Sequence, residues 1–110
     1  MNMNLVYTDS AKEDLKAIFN YIAFDLSSPN TAEKMLEGIF CEIRALEESP
    51  ELFPLYRDNP WHNLGVRSFP VKNYVVFYMA EMKTNTVSIL RVMYGGRDMN
   101  KQLEENPGLN

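Results

Sequence analysis

One cysteine and one histidine, Cys41 and His62, are all this chain has of the residues that most often hold transition metals. Two such residues far apart do not make a zinc site, so no metal is expected. A lone cysteine also excludes an internal disulfide, which fits a reducing cytoplasm. No apolar run approaches the ~20 residues of a membrane-spanning helix. The opening Met1-Asn2-Met3-Asn4 lacks the basic and then apolar regions of a signal peptide. Glycine is sparse, and its one pair, Gly95-Gly96, is too little for a phosphate-cradling loop and reads as a strand terminator. No cofactor is expected.

What remains is a chain of 110 residues, 45% of them hydrophobic, enough for one domain with one core spanning residues 1–110. The net charge of −4 conceals an asymmetry. Residues 1–56 carry −6, residues 57–103 carry +4 and the last seven residues carry −2. An acidic half joined to a basic half is what one anion-facing surface produces, and it is equally what glutamate-rich helix surfaces produce.

Periodicity divides the chain. Asn4 to Thr8 is rich in strand formers. Ser10 and Glu13 have the spacing of a capping box at a helix start. Ala11, Leu15, Ile18, Phe19, Ile22 and Leu26 then recur at steps of three and four, the mark of an amphipathic helix. Ser28-Pro29 places a cap and a first-turn proline before a second stripe of Ala32, Met35, Leu36, Ile39, Phe40, Ile43 and Leu46, which stops at Ser49-Pro50. The short link makes the two helices an antiparallel hairpin. Gly38, beside the second stripe, is expected to admit a close neighbour. Pro50 to Asn63 is a loop whose Phe53 and Trp61 tuck under the sheet. Val66 to Val71, Asn73 to Ala80 and Thr86 to Tyr94 are strands, and Pro70 near the end of the first marks an edge or a bulge. Met99 to Glu105 is a short terminal helix. The order β-α-α-β-β-β, closed by that helix, is an α+β fold with the helical hairpin on one face of a mostly antiparallel sheet.

Three arginines, Arg67, Arg91 and Arg97, stand on or beside these strands, where arginine is a poor filler. The stretches Y-T-D-S-A-K-E-D-L, Tyr21-Ile22 in the hairpin, Ser49-Pro50 with Pro54, Arg67, N-Y-V-V-F-Y and R-V-M-Y-G-G-R-D occur in this order over nearly the whole chain. In this the chain resembles the RelE/ParE toxins of bacterial type II toxin–antitoxin systems. The resemblance implies a cytoplasmic toxin neutralised by a cognate antitoxin in a hetero-oligomer. RelE-like members cut messenger RNA on the ribosome, whereas ParE-like members poison DNA gyrase.

Metal-free RNA cleavage needs a base, an acid and cations for the phosphorane charge. RelE-like enzymes have an arginine directly after the strand tyrosine and a tyrosine near the C-terminus. Here the residue after Tyr74 is Val75, and the late tyrosine position falls near Leu103. Tyr94 stands where many relatives have histidine, and an ordinary phenol with a pKa near ~10 is a poor base at neutral pH. His62 lies in a loop, in the setting of a solvated bystander. Tyr74 and Tyr78 share a face by period two and read as packing. Glu13 and Asp14, beside Lys12 and Lys16, read as a solvated helix face, and Cys41 as a buried or half-buried side chain. An isoelectric point near 4.9 is poorly suited to a phosphate-dense ribosomal site.

The reading that follows is a ParE-like toxin that binds gyrase through Arg67, Arg91, Arg97 and the C-terminal segment. The alternatives are a RelE-like endoribonuclease, with Arg67, Arg97 and Tyr94 as its catalytic candidates, and a degenerate member that only binds antitoxin. The antitoxin is expected across the helical hairpin or along a sheet edge.

Overall fold

In the computed structural model, which describes residues 2–96 and 98–109, the elements follow the expected order. Strand β1 (Asn4–Tyr7) leads to helix α1 (Asp9–Asn20) and then α2 (Pro29–Arg44), with a short α3 (Trp61–Leu64) inside the proline-rich loop. Strands β2 (Val66–Val71), β3 (Tyr74–Glu81) and β4 (Thr86–Tyr94) follow, then α4 (Met99–Glu105). The sheet order is β1-β4-β3-β2, with β1 parallel to β4 and the other pairs antiparallel. Pro70 is on an edge strand, where its missing N–H costs nothing. No helix among the described residues is long and apolar enough to cross a membrane.

The start of α1 lies two residues earlier than the Ser10 box implies. Thr8 is the cap, its hydroxyl accepting from the Ala11 N–H at 3.2 Å. The same hydroxyl donates to the Leu90 carbonyl at 3.0 Å. One side chain therefore starts the helix and ties it to β4, a double use that a hydroxyl permits because it both donates and accepts. At its other end α1 widens into a π-turn over Tyr21–Asp25, with the Leu26 N–H donating to the Tyr21 carbonyl at 3.0 Å. The wider turn shifts the helical phase: Ala23 joins Ile22 in the core and Leu26, expected on the apolar stripe, is exposed.

Helix α2 begins at Pro29 as expected, but Ser28 does not cap it through its side chain; the hydroxyl donates back to the Leu26 carbonyl at 3.0 Å. Gly38 packs no neighbour closely, because a Cβ built there would meet nothing within 4 Å. Cys41 is exposed rather than buried.

The sheet has two covered faces. On the first, Phe69, Val71, Tyr74, Val76, Tyr78, Val87, Ile89 and Val92 pack against the α1–α2 hairpin. On the second, Val66, Phe77, Leu90 and Met93 pack against Tyr56, Trp61 and Leu103. Alternation along β4 is broken by a bulge: Phe77 pairs with Arg91 and Tyr78 with Ile89, so Leu90 is the extra residue. The bulge is why Ile89 and Val92, three apart, face the same side.

The loop aromatics tuck in as expected. Phe53 stacks on Phe69 at 4.2 Å between ring centroids, and Trp61 is buried against the second face. Residues 54–56 run beside β2, with the Tyr56 N–H donating to the Val66 carbonyl at 2.7 Å and the Ser68 N–H to the Pro54 carbonyl at 3.3 Å. That edge is therefore partly paired from within the chain, and Pro70 removes the next donor along it.

Candidate functional site

Strand β1 ends opposite Ile89, yet β4 runs on to Tyr94. Backbone groups of β4 beyond that point need other partners. Thr8 satisfies the Leu90 carbonyl, and Asp14 accepts from the Val92 N–H at 2.9 Å. The Asp14 carboxylate also receives Arg91 as a fork, Nε to Oδ2 at 2.6 Å and Nη2 to Oδ1 at 2.9 Å. Both side chains are mostly shielded, at 12% and 17% exposed. This corrects the reading of Asp14 as part of a solvated face: its periodicity places it at the edge where β1 runs out, and it substitutes for the missing strand. A fork of this kind is the strong form of ion pair.

The third Arg91 nitrogen, Nη1, donates to the Asn106 carbonyl at 2.6 Å. Asn106 Nδ2 in turn donates to the Ser10 hydroxyl at 2.9 Å. The chain after α4 is thereby strapped to α1 and β4. Gly108 lies so near the strand that a Cβ would come within 2.1 Å of the Leu90 carbonyl oxygen, and its φ of +72 is one that other residues rarely adopt.

Arg67 has a different duty on the other face. It stands opposite Tyr78, whereas Arg91 stands opposite Phe77. Its Nη1 donates to the Phe53 carbonyl at 2.7 Å and its Nη2 reaches Glu51 at 3.3 Å. It holds the 51–55 loop against the helix side of the sheet. Arg67 and Arg91 are thus not brought together, and each is engaged within the chain. Arg97 lies outside the described residues.

Tyr94 is half-exposed and meets Tyr74 edge to face at 5.9 Å. Burial holds the Tyr74 hydroxyl above its usual range, and the nearby Tyr21 and Tyr94 add to the shift. Tyr78 is fully buried, and among the described residues its hydroxyl finds no hydrogen-bond partner. Burial raises its pKa, while the Phe53 backbone, too poorly placed to complete a hydrogen bond, and Arg67 pull it down. Both tyrosines are therefore neutral packing residues at ordinary pH, in line with their period-two placement. His62 is exposed, with Nδ1 2.9 Å from the Tyr56 carbonyl, a contact that makes Nδ1 the protonated nitrogen of the neutral ring.

On the second face a groove of about 340 Å³ opens between loop and sheet, lined by Leu55, Tyr56, Arg57, Ser68, Pro70, Val75 and Met99 among others. Val75 and Met99 are apolar, and Arg57 extends into solvent beside Asp58 at 3.6 Å. At the rim Tyr56 donates to Asn100 Oδ1, and Asn100 Nδ2 donates to Asp58 at 2.9 Å. Leu103 is 1% exposed and belongs to the core of this face. Among the described residues the groove offers apolar contact and one exposed cation, and no acid–base pair converges on a point. Among the described residues no three His, Cys, Asp or Glu gather as metal ligands.

The sequence reading missed Asp14, Tyr56 and Asn100. The first had a legible signal, since a strand of four residues cannot pair the whole of a strand of nine and some side chain must finish the edge. The Tyr56–Asn100 contact, between residues 44 apart, had none.

The sequence model of the ParE toxin of type II toxin–antitoxin systems matches residues 5–99. Among solved structures, the chain is similar to one from the chromosomal ParDE system of P. aeruginosa, with a TM-score of 0.68 at 22% identity, covering 84% of this chain and 95% of the other. It is also similar to one from the RelBE2 toxin–antitoxin complex of Mycobacterium tuberculosis, with a TM-score of 0.58 at 21% identity, covering 86% and 99%. A variant of the E. coli RelE toxin in the free state gives a TM-score of 0.63 at 12% identity, covering 96% and 94%. No curated protein sequence matches the chain.

Proposed function

The chain belongs to the ParE toxin family of type II toxin–antitoxin systems, and from that premise we propose that it acts by binding and inhibiting DNA gyrase, with a cognate antitoxin holding it in check. The observation that carries this reading is the chemistry of the second face. A nuclease on this scaffold needs cations and a proton-transfer pair around one phosphate. The groove instead has Val75 and Met99 in its lining, Leu103 is sealed in the core, and Arg91 is committed to Asp14 and Asn106.

Arg67 and Arg91 serve target binding chiefly by fixing surfaces, Arg67 the 51–55 loop and Arg91 the strap after α4. Arg97 and the C-terminal segment are proposed to touch the target directly. The test is purified protein with gyrase and relaxed plasmid. Inhibited supercoiling or a trapped cleavage complex is expected; the absence of both discards the gyrase reading.

The fold similarity to RelE toxins, which spans nearly the full chain, favours one second reading, ribosome-dependent cleavage of messenger RNA. Primer extension on translated messages after induction separates the two, since new 5′ ends in the codon frame belong only to cleavage. If neither gyrase inhibition nor cleavage is found and growth is unaffected, the chain is a degenerate member that only binds antitoxin.

A further inference from the structure

A sheet of four strands has two edges, and this chain closes only one of them. At the β2 edge, residues 54–56 take the Ser68 N–H and the Val66 carbonyl, and Pro70 has no N–H to offer. Beyond Ser68 that edge has carbonyl oxygens and no donor, and a new strand needs both.

The β1 edge is different. Asn4 and Thr8 donate to the Asn85 and Ile89 carbonyls at 2.8 and 3.1 Å. In a parallel ladder alternate residues serve the neighbouring strand, so Asn4, Val6 and Thr8 face β4, and Leu5 and Tyr7 turn their N–H and C=O groups outward. The Met3 N–H, next in that outward row, is taken by the Glu47 carbonyl at 2.8 Å. Among the described residues Leu5 and Tyr7 have no such partner. Residues 1–8 contain no charged side chain and no proline, the devices that ordinarily blunt an edge. Val6 is 47% exposed on one side of the strand, and Tyr7 meets Phe40 edge to face at 5.9 Å on the other. The row leads to a hollow of about 430 Å³ lined by Cys41, Arg44, Glu47, Glu48 and Leu52 among others, since Glu47 belongs to both.

Charge decides against a second copy of this chain. The register that pairs all four outward groups of one copy with those of another is antiparallel about Val6, with Leu5 opposite Tyr7. It sets Asp9 of each copy opposite Met3 of the other, beside Glu47 and Glu48, and like charges repel there. Three residues of strand also fall far short of the ~800 Å² per partner of a stable dimer. The strands of a folded enzyme are mostly paired in its own sheets, whereas a segment that orders on binding brings its backbone groups free. Such a segment also runs on from the strand into the hollow. There a lysine or arginine meets Glu47 and Glu48, and an apolar side chain meets Leu52, which is 55% exposed.

We infer that the outer edge of residues 5–7 is the docking line of an extended segment of the cognate antitoxin, which joins the four-stranded sheet beside β1 and carries a cationic residue toward Glu47 and Glu48. The inference rests on the antitoxin part of the reading above and is independent of gyrase.

The test is amide exchange, read residue by residue, on the chain alone and in complex with the product of the adjoining reading frame. In the chain alone Leu5 and Tyr7 should exchange fast beside a slow Val6, at every concentration. In the complex both should slow at least about tenfold. Affinity gives a second readout: Leu5→Pro removes the outward N–H, and Leu5→Ala loses the same side chain but keeps that donor. With both variants folded by circular dichroism, Leu5→Pro should bind the antitoxin at least about tenfold more weakly than Leu5→Ala. If Leu5→Pro does not fold, the exchange result decides alone. A complex in which Leu5 and Tyr7 still exchange fast, or a folded Leu5→Pro that binds as Leu5→Ala does, overturns the inference and leaves the antitoxin reading in place. So does protection that grows with concentration in the chain alone, which makes a second copy the occupant, and so does protection conferred by gyrase but not by the antitoxin. If no complex forms, the antitoxin reading and the inference fall together.

Discussion

The two faces of the sheet are covered by different means. The first is sealed by a long helical hairpin through apolar packing, with Ala32, Ile39, Ile43 and Leu46 fully buried. The second is sealed by a short helix and a loop, with Leu103 as the main apolar plug and polar clasps at both ends of α4. Asn100 bonds Tyr56 and Asp58 at one end, and Asn106 bonds Arg91 and Ser10 at the other. A seven-residue helix buries too little to hold itself down, so hydrogen bonds supply the rest. Packing resists any local opening, whereas clasps can be released one at a time. The second cover is therefore the part of this fold that a partner can most readily displace.

Ile39→Ala tests the first face most severely. Ile39 is fully buried against the sheet, and such truncations cost about 2–5 kcal/mol. Urea unfolding should show a fall near the upper end of that range, with every probe moving together. A loss below about 1 kcal/mol would mean that the hairpin is loosely packed and that the contrast between faces is false.

Asp14→Ala comes next. It strips Arg91 of its fork and leaves the Val92 N–H without its acceptor, in a site mostly shielded from water. Breaking a buried pair from one side costs about 3–5 kcal/mol, and the partial exposure here brings the expectation to about 2–3 kcal/mol. Because Arg91 also holds Asn106, hydrogen exchange should rise in residues 99–109 before it rises in α2. Uniform acceleration across the chain would show that the strap has no independence.

Much of this arrangement was legible in the chain and some was not. Strong periodicity identified both helices and the three late strands, and Pro70 correctly marked an edge. Most of the missed features depend on contacts between distant residues. Ser10 has the better local capping pattern, but Thr8 reaches Leu90, a partner 82 residues away, and so defines the helix start. Leu26 fits the apolar stripe until the π-turn shifts its phase. The arginines were visible as anomalies, and Arg67 and Arg91 each have structural partners that spacing alone does not reveal. Glu51 and the Phe53 carbonyl hold Arg67; Asp14 and the Asn106 carbonyl hold Arg91. Val75 and Leu103 were informative for the opposite reason. Each is apolar where the resemblance to RelE-like enzymes implies a functional group, an arginine at Val75 and a tyrosine near Leu103.

Asn100→Ala releases one clasp and leaves the other. The expected loss in global stability is about 1 kcal/mol, the net worth of an ordinary hydrogen-bond pair. The sharper readout is local: exchange at the start of α4 should rise while the strap at Asn106 keeps its protection. Equal rises at both ends would mean that α4 leaves the sheet as one rigid piece.

The smallest expected effect is on the first face. Tyr78→Phe removes a fully buried hydroxyl that has no partner among the described residues. An unsatisfied buried polar group costs free energy, so its removal should leave stability unchanged or raise it by up to about 1 kcal/mol near neutral pH. Alkaline pH makes the test specific. Burial raises the hydroxyl's pKa in the folded chain, so its stabilising contribution is complete below the unfolded value near ~10 and is lost as pH climbs through the folded value. The wild type should therefore lose stability above about pH 10, and Tyr78→Phe should lose less. Tyr56→Phe on the second face behaves differently, because its hydroxyl donates to Asn100 and helps to hold α4. It should lower stability at neutral pH, by about 1 kcal/mol. The same chemical change, one oxygen removed from a tyrosine, is then neutral or favourable where packing seals the sheet and unfavourable where hydrogen bonds do.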